Sequence, residues 1–194
     1  MCERRRDLAE QVLAGDDEID RREVGIEEEC LKILALHQPV AVDLRRVAMV
    51  IKINSDLERI ADLAHNIAER AQALASESDF PIPAKLKRMV EMATLMVHNA
   101  LDSFVNLDAQ AARRVCGLDD EVDRDNREII EELYELMRSR PEMIAPAMHC
   151  FSASRHVERI ADHATNIAED VVYLVQGEII RHRGRNEKLR AGKS

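Results

Sequence analysis

The sequence predicts an all-α protein that contains a duplicated helix pair. Three observations carry this: a composition rich in helix formers, a regular punctuation by Gly and Pro, and a near-identical segment that occurs twice. Apolar residues make up 46% of the 194-residue chain and charged residues 34%, with 3% aromatics and no Trp. Ala, Leu, Glu, Arg and Met dominate, and the aromatic residues that favour strands are scarce.

Residues 5–36 read as one helix, because Leu8, Val12, Ile19, Ile26, Leu31 and Leu34 recur at helical spacing. Gly15 and Gly25 weaken it, each by about 1 kcal/mol relative to Ala. His37-Gln38-Pro39 ends it, and a long helix follows from about Val40 to Ala75. The segment from Ser76 to Pro83 is rich in Ser and Pro and reads as the linker. A third helix covers 84–107. Asp108 then suits the N-cap of a fourth, 109–138, because its short carboxylate accepts from the first free amides. Pro141 and Pro146 open the fifth, 145–177, where a missing amide proton costs nothing. Long helices, short loops and no alternating pattern define a bundle.

The repeat is specific. Residues 58–69 read ERIADLAHNIAE and residues 158–169 read ERIADHATNIAE, identical at ten of twelve positions. The preceding helices agree as well, Asp17-Glu18-Ile19-Asp20 matching Asp120-Glu121-Val122-Asp123. The third helix has no counterpart before the first copy, so a three-helix repeat unit would leave the first copy without its opening helix. The chain divides into a first repeat (1–78), a second (79–180) and a basic tail (181–194), with six Lys/Arg against one Glu in the tail.

The net charge of -9 opposes non-specific binding to nucleic acid, and 3% aromatics leave no base-stacking platform. No apolar run reaches the length of a membrane span, and the charged N-terminus is unlike a secretory signal. Four widely spaced cysteines without a C-x-x-C pair read as reduced thiols, so a cytoplasmic location is expected.

Four polar positions recur every four residues in each copy: Asn54, Glu58, Asp62 and Asn66, then Ser154, Glu158, Asp162 and Asn166. Residues at i and i+4 share a helix face, and these alternate with apolar Leu57, Ile60, Ala64 and Ile67 or their counterparts. Acids placed beside an apolar stripe repel one another and call for a cation. One reading is that Arg59, Arg159 or other basic side chains supply it and the stripe is an ordinary bundle surface. The other is a metal site in each copy, Glu58 with Asp62 and Glu158 with Asp162, completed by Asp17 and Asp20 or by Asp120 and Asp123 from the preceding helix. Oxygen ligands suit divalent or trivalent ions such as Mg, Mn or Fe, with Zn a further candidate.

A carboxylate-bridged storage or di-iron bundle is the alternative class. It wants Glu-x-x-His on paired helices, and only Asp62-Leu-Ala-His65 imitates that, with Thr165 in the second copy. The acidic run Asp119–Asp125 lacks the central Gly of a calcium loop and reads as helix. No phosphate-binding Gly loop or nucleophile–base pattern occurs, so no catalytic residue is assigned and no enzyme activity is expected. A purely structural interaction protein is the third class.

At the repeated segment the chain resembles the PhoU family of phosphate-uptake regulators. The resemblance rests on Asp56-Leu-Glu-Arg-Ile-Ala-Asp62 through Ile67 and His156-Val-Glu-Arg-Ile-Ala-Asp162 through Ile167. Gln38–Arg45 and Gly177–His182 agree as well. It implies two pseudo-symmetric three-helix bundles, usually a cytoplasmic homodimer, with metal clusters on the Glu58/Asp62 and Glu158/Asp162 faces. It further implies contacts with the phosphate ABC transporter ATPase and the phosphate sensor histidine kinase, repressing phosphate uptake and starvation signalling.

Overall fold

The structure, a computed structural model, describes residues 5–77, 79–178 and 180. Seven α-helices follow one another among them: α1 (Arg6–Ala14), α2 (Asp16–His37), α3 (Ala41–Ala75), α4 (Ala84–Asn106), α5 (Ala109–Cys116), α6 (Asp119–Ser139) and α7 (Ile144–Gln176). A single 3₁₀ turn, Pro141–Met143, leads into α7. The basic tail, 181–194, and Cys2 lie outside the described residues.

The helical reading holds, with two corrections. The helix expected over 5–36 divides at Gly15, whose amide turns back to the Val12 carbonyl at 3.1 Å. The helix expected over 109–138 divides at Gly117 and Leu118, where amides again bond three residues back. In both places a glycine, a poor helix former, sits at the break. Gly25 sits within α2 without breaking it. Asp108 caps α5 as expected, its carboxylate accepting from the Gln110 and Ala111 amides at 2.9 Å each. These bonds hold the Asp108 carboxyl below the usual range, and Asp108→Ala should lower the thermal midpoint by removing the cap.

The two longest helices, α3 and α7, form the spine. Two polar contacts stitch them: an ion pair from Lys52 Nζ to the buried Asp170 Oδ1 at 2.6 Å, and a hydrogen bond between His163 Nδ1 and Asp56 Oδ1 at 2.7 Å. Contacts descend α7 as they ascend α3, so the helices run antiparallel. Against this spine α1 and α2 pack on α3, while α5 and α6 pack on α7 in the same manner. The duplication in the sequence is thus a duplication in space.

Helix α4 breaks the equivalence. It packs on α5, α6 and α7, driving Leu86, Met89, Ala93, Met96 and Ala100 into the core at alternating spacings of three and four. Alanines on α7 (Ala147, Ala153, Ala161, Ala164, Ala168) are buried and allow close helix approach. No counterpart of α4 stands on the α1–α3 side among the described residues. The segment read as a linker is not free: Phe80 is buried and joins a core cluster that includes Ile53 and Leu74 of α3. Cys30, Cys116 and Cys150 form no disulfide, and burial pushes the Cys116 thiol up to about 11.

Candidate metal centre

In the second repeat, α6 and α7 each present acids to their shared seam. Helix α7 offers Glu158 and Asp162, one turn apart, and α6 offers Asp119 and Asp123, also one turn apart. Their electrostatics show them as one group. The Asp119 carboxyl is pushed up to about 6 by burial, then by the charges of Asp162 and Asp123. Asp162 is raised by desolvation, then by Glu158 and Asp123. Glu158 is raised by burial, with Asp123 and Asp119 adding to it and Arg155 opposing. Each acid makes the next harder to ionise.

Partial compensation exists. Arg155 Nη1 donates to Glu158 Oε1 at 2.9 Å, and Thr165 Oγ1 donates to Asp119 Oδ1 at 3.3 Å. Glu158 Oε2, however, is buried with no hydrogen-bond partner. One guanidinium for four carboxylates leaves the seam strongly negative.

The first repeat is the same design in a more open setting. Glu58 is raised by burial, then by Asp62, with smaller contributions from Glu23 and Asp20 of α2. Arg59 bridges both acids, to Glu58 at 3.3 Å and Asp62 at 3.1 Å. His65 Nδ1 lies 3.0 Å from Asp16 Oδ2, as Thr165 lies beside Asp119 in the second copy. So Asp16 and Asp20 stand where Asp119 and Asp123 stand.

The structure therefore brings Asp20 towards Glu58, and Asp123 towards Glu158 and Asp162. Asp120 adds a smaller contribution to the raised Asp119 carboxyl. Asp17 is exposed, and its carbonyl accepts from Arg21 at 2.9 Å. Sequence reasoning missed Asp16, Asp119 and Glu23, although Asp16-x-x-x-Asp20 and Asp119-x-x-x-Asp123 carry the same i, i+4 signal as the two repeat motifs. It also named Arg159 as a neutralising partner, whereas Arg155 holds Glu158. Among the outer rungs, Asn54 donates to the Glu23 carbonyl at 2.8 Å and Asn66 to the Asp62 carbonyl at 2.7 Å. Those amides fasten backbone. No three His, Cys, Asp or Glu among the described residues are gathered closely enough to grip an ion as they stand.

The fold is a duplicated helical bundle with an acidic seam in each half. The chain belongs to the PhoU family: the PhoU domain model matches residues 2–71 and 86–171. It is 42% identical over 178 residues to the phosphate-specific transport system accessory protein PhoU homolog of Pseudomonas aeruginosa, covering 91% of this chain and 74% of that protein. Identity to the Escherichia coli PhoU protein of the same description is 35% over 189 residues, covering 96% and 78%. The crystal structure of PhoU from Pseudomonas aeruginosa superposes with a TM-score of 0.88 at 40% identity, covering 91% of this chain and 85% of that one. Streptococcus pneumoniae PhoU, a phosphate transport system regulatory protein, gives 0.85 at 28% identity, covering 92% and 84%. The family comprises accessory regulators of phosphate transport. No helix among the described residues is long and apolar enough to cross a membrane.

Proposed function

We propose that this chain is a metal-binding adaptor that restrains phosphate uptake and phosphate-starvation signalling through protein contacts. The observation that carries the metal is the pairing of i, i+4 acids on facing helices, with three carboxyls pushed upward by burial and by one another. Glu158, Asp162, Asp119 and Asp123 would hold an ion in the second repeat; Glu58, Asp62, Asp16 and Asp20 would hold one in the first. An all-oxygen donor set suits a hard cation such as Mg, Mn or Fe, and an orphaned buried Glu158 oxygen fits a ligand role. The ion would supply the positive charge that lets four acids remain ionised together, fastening α6 to α7 and α2 to α3.

The adaptor role follows from the relatives, which are described as accessory proteins of a phosphate-specific transport system. On this reading the partners are the transporter ATPase and the phosphate sensor histidine kinase, and the site of action is the cytoplasm. The test is co-purification from phosphate-replete cells carrying that transport system. A tagged chain should recover the ATPase or the kinase; recovery of neither by folded, abundant protein contradicts the adaptor role. Oxygen consumption on addition of Fe²⁺ would instead favour an oxidase bundle, the class that the single His65 supports poorly.

A further inference from the structure

The repeat matches α3 to α7 at an offset of 100 residues, so each contact between these antiparallel helices has a counterpart at the far end of the spine. The pair Lys52–Asp170 maps onto Ser152–Arg70, and Asp56–His163 maps onto His156–Leu63. At one end two acids, Asp170 and Asp56, each meet a nitrogen of the opposite helix. At the other end both acids are replaced by basic residues, Arg70 and His156. The residues that face them, Ser152 and Leu63, carry no charge. One end of the spine is internally paired, and the other offers a guanidinium with no carboxylate across from it.

The side chains at this end form a cluster. Ser152 Oγ lies 3.3 Å from His156 Nε2. Burial, then the charges of Arg159 and Arg70, hold the His156 imidazole below its usual value, so both guanidiniums act on one ring. Ser152, His156 and Arg159 share a face of α7 by their spacing of four and three. Two nitrogens of the cluster, Arg70 Nε and His156 Nδ1, are buried with no hydrogen-bond partner.

Little on the chain answers these groups. Arg70 reaches only the adjacent Glu69, loosely, at 3.7 Å. Arg159 makes no ion pair among the described residues, whereas its counterpart Arg59 bridges Glu58 and Asp62. Enclosed polar atoms without a partner are costly and call for an explanation. An oxyanion answers several such donors at once, through short charge-assisted bonds.

We propose that Arg70, Ser152 and His156, with Arg159 at the rim, bind one inorganic phosphate ion between α3 and α7. The ion takes the place that the Asp170 carboxylate holds at the other end of the spine. Its oxygens accept from the Arg70 guanidinium, the Ser152 hydroxyl and the protonated nitrogen of His156. A guanidinium fork matches two oxygens of a tetrahedral anion. The Arg70 side chain is 37% exposed, so the ion enters from solution. Enclosure of Nε and Nδ1 favours a free ion over a phosphoryl group carried on a larger molecule. That the ligand is an oxyanion rests on the cluster alone; that it is phosphate rests on the phosphate-uptake reading above.

The test is calorimetric titration of the chelator-treated full chain with sodium phosphate at constant ionic strength. Binding should be saturable, with one ion per chain, and sodium chloride should produce none. Arg70→Gln should weaken it tenfold or more. Ser152→Asp is the sharper variant, because it supplies the missing carboxylate opposite Arg70 as Asp170 does opposite Lys52. It should abolish phosphate binding and raise the thermal midpoint of phosphate-free protein, a combination that a merely structural Ser152 would not give. No saturable binding by folded wild-type protein overturns the proposal, as does undiminished binding by both variants. Binding that appears only once Mn²⁺ is restored, and is lost in Glu158→Ala/Asp162→Ala, overturns it in favour of phosphate held by an ion in the acidic seam. Tighter binding of glycerol phosphate than of phosphate overturns the free ion in favour of a tethered phosphoryl group. A chain that binds phosphate through Arg70 but recovers neither the ATPase nor the kinase loses the adaptor role and keeps this site.

Discussion

Asp119→Asn should stabilise the metal-free protein and weaken its grip on Mn²⁺ at the same time. Folding lifts the Asp119 carboxyl from 3.8 to about 6, so between those values the folded state holds a proton that the unfolded chain releases. Stability attributable to this group is therefore present below about pH 4, falls as pH rises, and is fully lost above about pH 6. At pH 7.5 the ionised carboxylate is a net liability in the absence of a cation. The whole shift corresponds to about 3 kcal/mol, and solvent on the open side of the seam reduces this to about 1–2 kcal/mol. Removing the charge should raise Tm of chelator-treated protein by roughly 3–6 °C, given about 2–4 °C per kcal/mol for a chain of this size. The same substitution deletes an anionic ligand and should weaken Mn²⁺ binding tenfold or more, about 1.4 kcal/mol. Calorimetric titration with differential scanning of the same samples checks both signs. A variant that loses stability and keeps affinity would make Asp119 an ordinary packing residue.

The second large effect is an asymmetry between equivalent positions. Ile167 is fully buried beneath the α4 side of the bundle, and Ile167→Ala should cost about 2–4 kcal/mol through lost transfer energy and an unfilled cavity. Ile67 occupies the matching position of the first repeat but is half-buried, so Ile67→Ala should cost under about 1.5 kcal/mol. Urea denaturation of the two variants measures the difference. Equal costs would mean that the first repeat is as well covered as the second.

Much of this architecture is legible in the sequence because it is written locally. Helix α3 is flanked by Pro39 and the Ser76–Pro83 break, α4 begins after Pro83, and Asp108 announces α5 by its capping chemistry. The repeat motif is visible as text. The interruptions at Gly15 and Gly117 are not, because a glycine inside α2 leaves its helix unbroken while these two do not; tertiary packing decides. That difference propagates to the site. In the run Asp119-Asp120-Glu121-Val122-Asp123 the choice of acids facing α7 depends on helix phase, and the phase is set by the break at Gly117–Leu118. The repeat match pointed to Asp120 with Asp123, three apart, whereas the acids electrostatically coupled to Asp162 are Asp119 and Asp123, four apart. Glu158 pairs with Arg155, three residues back on the same helix face, whereas in the first repeat the adjacent Arg59 serves Glu58. The buried Phe80 shows the limit of composition: a Ser- and Pro-rich segment reads as linker, yet one aromatic ring within it reaches the core.

The central claim, that the acidic seam of a PhoU-family bundle is a cation site, is tested most directly by the thermal midpoint of chelator-treated protein against Mn²⁺ concentration. Wild-type protein at pH 7.5 should gain roughly 5–10 °C at a hundredfold excess over Kd, the stabilisation expected for a ligand bound only by the folded state. The gain should shrink at pH 5, below the raised value of about 6 at which Asp119 takes up its proton, and should largely vanish in the Glu158→Ala/Asp162→Ala variant. An equal gain in that variant, or a midpoint indifferent to Mn²⁺ at pH 7.5, would contradict the account.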